Sequence, residues 1–343
     1  MNLLIMDISY GHKVAIAILN YNGEVYLQAC LHSLKEISPL NCDVILVDNN
    51  SNDNSIKMAE EHFPWVKIIS FPENHGFGKA YNLAIQQLKY DYILLLNNDT
   101  IVEKSFVEEL MNIMLNDPRI AICGSKILMM DKPHTIAHAG GKISQLGTGI
   151  DVGLGLRDAH SYDHLTDVGF VCGASMLVRR DTFLELGGFD PDYFAYNDDV
   201  DLCWRAWLKG YRVVYVPTSI IYHKCGGSWD RKGYKKILIG ECNRLQNMFK
   251  NLEVLNIPCA LFVSIGYDLL RFCLSLYRRN YEESKAILDA NKYILKHIPN
   301  IWAKRRYIQS SRLTPDRVLK DKAIFATFRE CLSEFVRLKV YNC

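Results

Sequence analysis

Asp198, Asp199 and Asp201 crowd into the stretch "AYNDDVDLCWRAWL", just ahead of Leu202, Cys203, Ala206 and Trp207, which recur at helical spacing. One or two carboxylates in a first helical turn are ordinary, because they meet the positive end of the helix macrodipole. Three exceed that need. Like charges held close raise the pKa of one of them, which suits a general base. A second cluster closes the run "DYILLLNNDT", where Asn97, Asn98 and Asp99 follow an unbroken apolar segment. A carboxylate there suits a hard divalent cation, Mg2+ or Mn2+, held by one or two protein oxygens and by substrate phosphates. His223 follows the strand-like "VPTSIIY" and is read as a second ligand of the same cation. Asp48 to Ser51 close "VILV" in the same manner. A single polar cluster of this kind is usually a turn or a cap, but two at the ends of strands of one sheet point to a ligand.

These groups need a scaffold that presents strand ends side by side. "KVAIAIL", "DVILVD", "VKIISF" and "DYILLL" alternate with helical patterns, and this spacing means βαβ units with a parallel sheet covered on both faces. Asn22 is expected to cap a first helix with Leu27, Cys30, Leu31 and Leu34 on one face. In "NHGFGKAYN" two glycines are expected to precede a helix. Tyr81 stands where GxGxxG needs its third glycine, and no GxxxxGK[ST] occurs, so dinucleotide oxidoreductases and P-loop NTPases are disfavoured. Residues 131–168, rich in Gly, Asp and His, read as a long loop or hairpin region forming a lid or acceptor-facing surface.

A chain of 343 residues can hold one sizeable α/β core and an appended segment. Its formal net charge of +2 conceals an asymmetry. Residues 1–228 carry 18 Lys and Arg against 27 Asp and Glu, and residues 229–343 carry 22 against 11, giving −9 and +11. The eleven cysteines are scattered and form no CxxC pair, which disfavours a zinc cluster and fits a reducing compartment. "MNLLIMDISYGHK" lacks the basic start and cleavage site of a signal peptide. The apolar run Ile257 to Tyr267 is short for a bilayer span, and Asp268 and Arg271 interrupt its continuation, which leaves an amphipathic surface helix as the expectation.

Five segments, in this order, resemble the inverting family 2 glycosyltransferases of GT-A fold, in particular the rhamnosyltransferase-like branch. They are "VAIAILNYNG", "ILVDNNSNDNS", "ENHGFGKAYN", the "LLNND" variant of the DxD motif, and "FAYNDDVDLCWRAWLKGY" with the downstream His223, and together they cover about residues 12–230. The resemblance implies a Rossmann-like, mostly parallel sheet flanked by helices over residues 1–228, with a donor half at about 12–125 and an acceptor half at about 126–228. A basic helical extension over 229–343 would follow. Asp48 would contact the nucleobase or ribose, and the backbone from Leu19 through Asn20 to Tyr21 would wall the base. The matched segments also place Asn50, Gly76, Lys79, Asn82, Asn97 and Asn98 in the nucleotide-binding surface. Asp99 and His223 would hold the metal that bridges the donor diphosphate. Asp199 matches the usual catalytic base, but Asp198 stands where the family has glutamate, so either of the two is a candidate. Asn97 replaces the first aspartate of DxD, leaving one carboxylate in the triplet.

The expected activity is transfer of a sugar, rhamnose or another hexose, from a dTDP-, UDP- or GDP-linked donor to a hydroxyl of a glycan or lipid-linked glycan. The expected setting is cell-surface polysaccharide synthesis in the cytoplasm, with the C-terminal extension on the inner membrane face and no nucleic-acid partner. A sugar-nucleotide nucleotidyltransferase would want a glycine-rich basic loop where this chain has "LNYNGEVY". A non-catalytic carbohydrate-binding relative would be favoured by loss of Asp99 or Asp199, and both are present.

Overall fold

The computed structural model describes residues 12–37, 42–224, 233–327 and 329–331. The 228/229 boundary between the two expected parts, and most of the segment read for a signal peptide, lie outside the described residues. The first half alternates regularly: β1 (Val14–Asn20), α1 (Glu24–Lys35), β2 (Cys42–Asp48), α2 (Ser55–His62), β3 (Lys67–Ser70), α3 (Phe77–Gln87) and β4 (Tyr92–Asn97). There follow β5 (Thr100–Val102), α4 (Phe106–Asn116), β6 (Ile120–Met129), β7 (Lys132–His138), β8 (Gly141–Ile143), β9 (Gly149–Asp151) and β10 (Thr166–Asp167). β11 (Ser175–Arg179), α5 (Arg180–Glu185), α6 (Asp198–Leu208) and β12 (Arg212–His223) complete the sheet region. The remainder is helical, with α7 (Tyr234–Asn251), α8 (Ile257–Tyr277), α9 (Tyr281–Ser310) and α10 (Asp316–Asp321).

The main sheet runs β3-β2-β1-β4-β11-β6-β12-β10. β3, β2, β1 and β4 are mutually parallel, β11 enters antiparallel between β4 and β6, and β12 is parallel to β6. Chain order reverses between β1 and β4, so the crevice beyond their carboxyl ends is the natural ligand site of such a sheet. The unbroken apolar run of β4 is explained by its two covers. Leu94 and Leu96 pack with α1 and α4, whereas Ile93 and Leu95 share a core with Tyr81 of α3 and Trp204 of α6.

Local differences from the sequence reading have clear causes. α1 buries Leu27, Cys30, Leu31 and Leu34 as expected, but Gly23 precedes it and Asn22 is not its cap. Asn22 is left-handed, φ 51°, and its side-chain oxygen accepts the Asn52 N–H at 2.7 Å. Only Gly76 precedes α3; Gly78 lies inside it, against Phe189. Of the two forms expected for residues 131–168, the stretch to Asp151 takes the hairpin one, and Ile143 bridges to Phe325. Val254–Tyr277 is long and apolar enough to cross a bilayer, 24 residues containing a window of mean hydropathy 1.6. That departs from the expectation of a short interrupted run: one helix continues through Asp268 and Arg271, which are paired with Arg244 and Glu241.

The helical segment shares its core with the sheet. Leu245 and Met248 of α7, Leu252 just after it, and Ile294 and Ile301 of α9 join the cluster that holds Met176 and Trp204. Buried charge makes the attachment specific. Lys250 of α7, 1% exposed, lies 2.5 Å from Asp190 and 3.0 Å from Asp201, with its ammonium over the Tyr193 ring. Removing one partner of a buried ion pair strands the others, at a cost of about 3–5 kcal/mol. Lys250→Ala should therefore lose stability of that order in urea denaturation. The exposed Lys296→Ala should stay within about 0.5 kcal/mol of wild type.

Candidate active site

At the carboxyl ends of β1, β2 and β4 the asparagines mostly hold one another. Asn20 is fully buried; its amide nitrogen donates to Ser51 Oγ at 3.0 Å and Ser55 Oγ at 2.9 Å, and its oxygen accepts from Asn98 Nδ2 at 2.7 Å. Asn20 and Asn98 thus shape the crevice from behind. Gly23 is required here, since a Cβ would lie 2.0 Å from Asn98 Nδ2. The Asp48 carboxylate caps its own turn through the Ser51 N–H at 3.2 Å. Asn49, which motif reading passed over, donates to Asn74 Oδ1 and the Gly76 carbonyl and accepts from the His75 N–H, fastening the loop before α3.

Gly76 carries φ +76°, and a Cβ on it would stand 2.3 Å from the Phe194 carbonyl, the same oxygen that accepts the Phe77 N–H at 2.7 Å. Its role is close approach between the donor half and the segment entering α6. Asn82 donates to the Phe189 carbonyl at 2.8 Å and accepts the Phe189 N–H at 2.9 Å, tying α3 to the segment before α6. Leu19 is partly buried, whereas Tyr21 and Asn50 are exposed, Asn50 with φ 69°. Lys79 is half exposed and 4.0 Å from Glu73.

The short β5 explains how residues 124 positions apart meet. It pairs antiparallel with the end of β12, setting His223 opposite Thr100. His223 Nε2 consequently lies 3.0 Å from Asp99 Oδ1 and 3.4 Å from Asn97 Nδ2. Two ligands bound at about 2.1 Å and at right angles in an octahedral shell sit about 3.0 Å apart, so this pair fits adjacent positions on a Mg2+- or Mn2+-sized ion. Among the described residues no group of three or more His, Cys, Asp or Glu could hold a metal alone. Phosphate and water oxygens would have to complete the shell, as is usual for Mg2+.

The three aspartates of α6 divide into two kinds. Asp201 is wholly buried, bound by Arg205 at 2.8 Å, Lys250 at 3.0 Å and Asn251 at 3.0 Å. Burial alone would raise its pKa, but Arg205 and Lys250 outweigh burial and hold it below the usual carboxylate range. Asp198 is buried with no such partners. Its Oδ2 has no hydrogen-bond partner among the described residues, and burial, reinforced by Asp199, pushes its pKa up to about 8. Asp199 is partly exposed; Gly173 donates to its Oδ2 at 3.1 Å and Val200 to its Oδ1 at 2.8 Å. Burial raises its pKa too, against the pull of those two N–H groups. Burial thus opposes ionisation of both carboxylates, and they titrate as one coupled pair.

Backbone bonds place Asp199 on the same rim as Asp99. Gly173 N–H reaches Asp199, and the next carbonyl, of Ala174, accepts the Asn97 N–H at 3.1 Å. The entry to α6 is strained: Tyr196 and Asn197 both have positive φ, 69° and 58°. Two asparagines of α7 hold it, Asn243 donating to the carbonyls of Ala195 and Tyr196 and Asn247 to that of Asn197. Behind Gly173, His138 Nε2 accepts the Cys172 N–H at 3.1 Å, so its Nδ1 carries the proton facing Asp151 Oδ1 at 2.6 Å. Motif reading missed this His138–Asp151 pair. The only signal was the density of Gly, His and Asp in 131–168.

A mixed sheet of this order with helices on both faces is the GT-A glycosyltransferase architecture. The glycosyl transferase family 2 model matches residues 15–187, half of the chain, and the chain belongs to that family. Asp198, Asp199 and His223 lie beyond the matched stretch. The chain is 28% identical over 233 residues to N-acetylglucosaminyl-diphospho-decaprenol L-rhamnosyltransferase of Mycobacterium tuberculosis, covering 61% of this chain and 75% of that one. It is 22% identical over 219 residues to poly-beta-1,6-N-acetyl-D-glucosamine synthase of Staphylococcus aureus, covering 62% of this chain and 51% of the synthase. Among solved structures, GalNAc-T7 with UDP, GalNAc and Mn2+ superposes with a TM-score of 0.58 at 17% identity, over 71% of this chain and 48% of that one. A mannosyltransferase from Pyrobaculum calidifontis with GDP-Man and Mn2+ gives a TM-score of 0.51 at 14% identity, over 97% and 89%. These structures share the fold.

The raised pKa of Asp198 has a consequence for stability. Below about 4 both folded and unfolded states hold its proton. Above that the unfolded state releases it and the folded state keeps it, so the contribution declines as pH rises and levels off past about 8. Asp198→Asn lacks this decline. Its Tm should gain on wild type between pH 4 and pH 8 and hold the gain above, in scanning calorimetry across that range; a gain that shrinks with pH would refute the assignment.

Proposed function

We propose that the chain is an inverting, metal-dependent hexosyltransferase. It moves a sugar from a nucleoside-diphosphate donor to a hydroxyl of a glycan or lipid-linked glycan, on the cytoplasmic side of cell-surface polysaccharide synthesis. The observation that carries this reading is Asp199: partly exposed, held by the N–H groups of Gly173 and Val200, and two backbone bonds from the strand end that carries Asp99. The printed activities of the rhamnosyltransferase and the polysaccharide synthase support the surface-glycan setting, and the first of them supports rhamnose as the donor sugar.

The acceptor hydroxyl attacks the anomeric carbon from the face opposite the leaving group while Asp199 takes its proton. The C–O bond to the nucleoside diphosphate breaks, and its electron pair leaves on the diphosphate oxygen. A bound Mg2+ or Mn2+ would neutralise charge on that diphosphate. Asp99 and His223 are the residues to hold it. Asp48, Tyr21, Asn50 and the backbone at Leu19 form the surface offered to the nucleoside, with Asn20 and Asn98 fixing its shape. A nucleotidyltransferase is less well supported, because the turn after β1 is closed by Gly23 and Asn98 and carries no basic phosphate loop.

Asp199→Asn should lower kcat about 10²–10⁴-fold, the usual worth of a positioned base, and leave nucleoside diphosphate affinity unchanged. Donor turnover screened over UDP, dTDP and GDP sugars reads this directly. Near wild-type turnover by Asp199→Asn with loss in Asp198→Asn would move the base to Asp198. In calorimetry with Mn2+, Asp99→Ala should weaken nucleoside diphosphate binding more than His223→Ala does, because a carboxylate is the stronger ligand of a hard cation. Equal affinity of wild type with and without Mn2+ would refute the metal site.

A further inference from the structure

α8 is built inside out. Its buried positions include Ser264 (1% exposed), Ser275 (1%) and Asp268 (7%), whereas Phe262 is 80% exposed, Leu269 61% and Ile265 57%. The outward stripe, Leu255, Phe262, Leu269 and Leu276 at intervals of seven with Ile265 and Tyr277 beside it, carries no charge. The inward face is a polar seam. Arg244 of α7 pairs with Asp268 at 2.6 Å, Arg271 meets Glu241 and Glu283, and Ser275 meets Ser284 of α9 at 2.6 Å. A core helix of a soluble protein has the opposite arrangement.

α9 runs antiparallel beside α8 through the turn at Arg278, Arg279 and Asn280, since Ser284 lies opposite Ser275 and Asn291 reaches Asp268. Its own outward stripe also repeats every seven residues, Tyr281, Leu288, Leu295 and Trp302, all exposed. Interleaved on that face are Lys285, Lys292, Lys296 and Arg306, with the carboxylates of Asp289 and Glu282 at its margin. Lys285 stands over the Tyr234 ring, and Lys292 is 3.4 Å from Asp289. An uncharged apolar stripe beside a stripe of aromatics and cations is the composition of a helix pair seated at a lipid interface.

We infer that α8 and α9 dock this protein onto an anionic membrane leaflet, with the outer face of α8 entering the acyl boundary and the cations of α9 on the headgroups. The helix pair lies on the leaflet and does not cross it, because crossing would strip Asp268 and Arg271 of the partners that α7 and α9 provide. A second copy is the rival occupant. A two-fold pairing through these stripes would set Lys292, Lys296 and Arg306 against their own copies, a surplus of cations even with Asp289 counted. A negatively charged leaflet meets the same cations with opposite sign.

The test uses the full-length protein with vesicles of phosphatidylcholine alone or with phosphatidylglycerol added. Wild type should sediment with the anionic vesicles, and binding should weaken as salt rises. Phe262→Ser/Leu269→Ser and Lys292→Glu/Lys296→Glu/Arg306→Glu should each lose at least tenfold in vesicle affinity and keep the wild-type Tm, since all five side chains are exposed. Cys259 and Cys273 are exposed on α8. Both should react with a water-soluble maleimide in the free protein and be protected on vesicles, read peptide by peptide in mass spectra. Maleimide reactivity unchanged by vesicles would overturn the proposal. So would a dimer in ultracentrifugation that Phe262→Ser/Leu269→Ser dissociates while wild type ignores the vesicles.

Discussion

The placement of α6 depends on one buried anion. Asp201 has no solvent contact, and a carboxylate in that position is tolerated only with its charge answered. Arg205, one turn along the same helix, answers it from within and spends its remaining donors on the carbonyls of Leu186 and Gly188. Lys250 answers it from α7 and at the same time neutralises Asp190. Helix, preceding loop and C-terminal segment are thereby fixed to one point. The first turn of α6 can then hold Asp198 and Asp199 in an environment that raises both carboxylates, because Asp201 and its cations prevent the helix from rotating them out to water.

The same constraint changes what the C-terminal segment is for. α7 does more than cover the sheet. Its Asn243 and Asn247 bind the carbonyls of a turn whose two residues have positive φ, a conformation that persists only where surroundings impose it. The geometry of the aspartate pair is therefore built partly by residues beyond the family-matched stretch, which ends at residue 187. α8 continues the pattern by turning its polar residues toward α7 and α9, which leaves its apolar side outward.

The Asp99–His223 pair illustrates a different economy. Asp99 follows a strand buried on both faces, and His223 ends the longest strand of the sheet; neither needs a dedicated loop. A three-residue strand laid against the end of β12 brings them within 3.0 Å. The pair is stiff, because moving either side chain would break sheet hydrogen bonds.

Alternation of apolar runs with helical patterns determined the parallel half of the sheet, and both faces of β4 are covered as its composition demands. The polar clusters at strand ends were legible for the same reason: a buried strand can place polar side chains only where it emerges. Residue type carries no direction, and only packing shows that Asn20 and Asn98 bind one another, that Asn20 binds two serines and that Asn82 binds Phe189. The division of labour among Asp198, Asp199 and Asp201 was likewise decided by tertiary structure. Three identical side chains in one helical turn differ only in what meets them: burial with one oxygen unpartnered, two backbone N–H groups, or two cations contributed by residues 4 and 49 positions further along the chain.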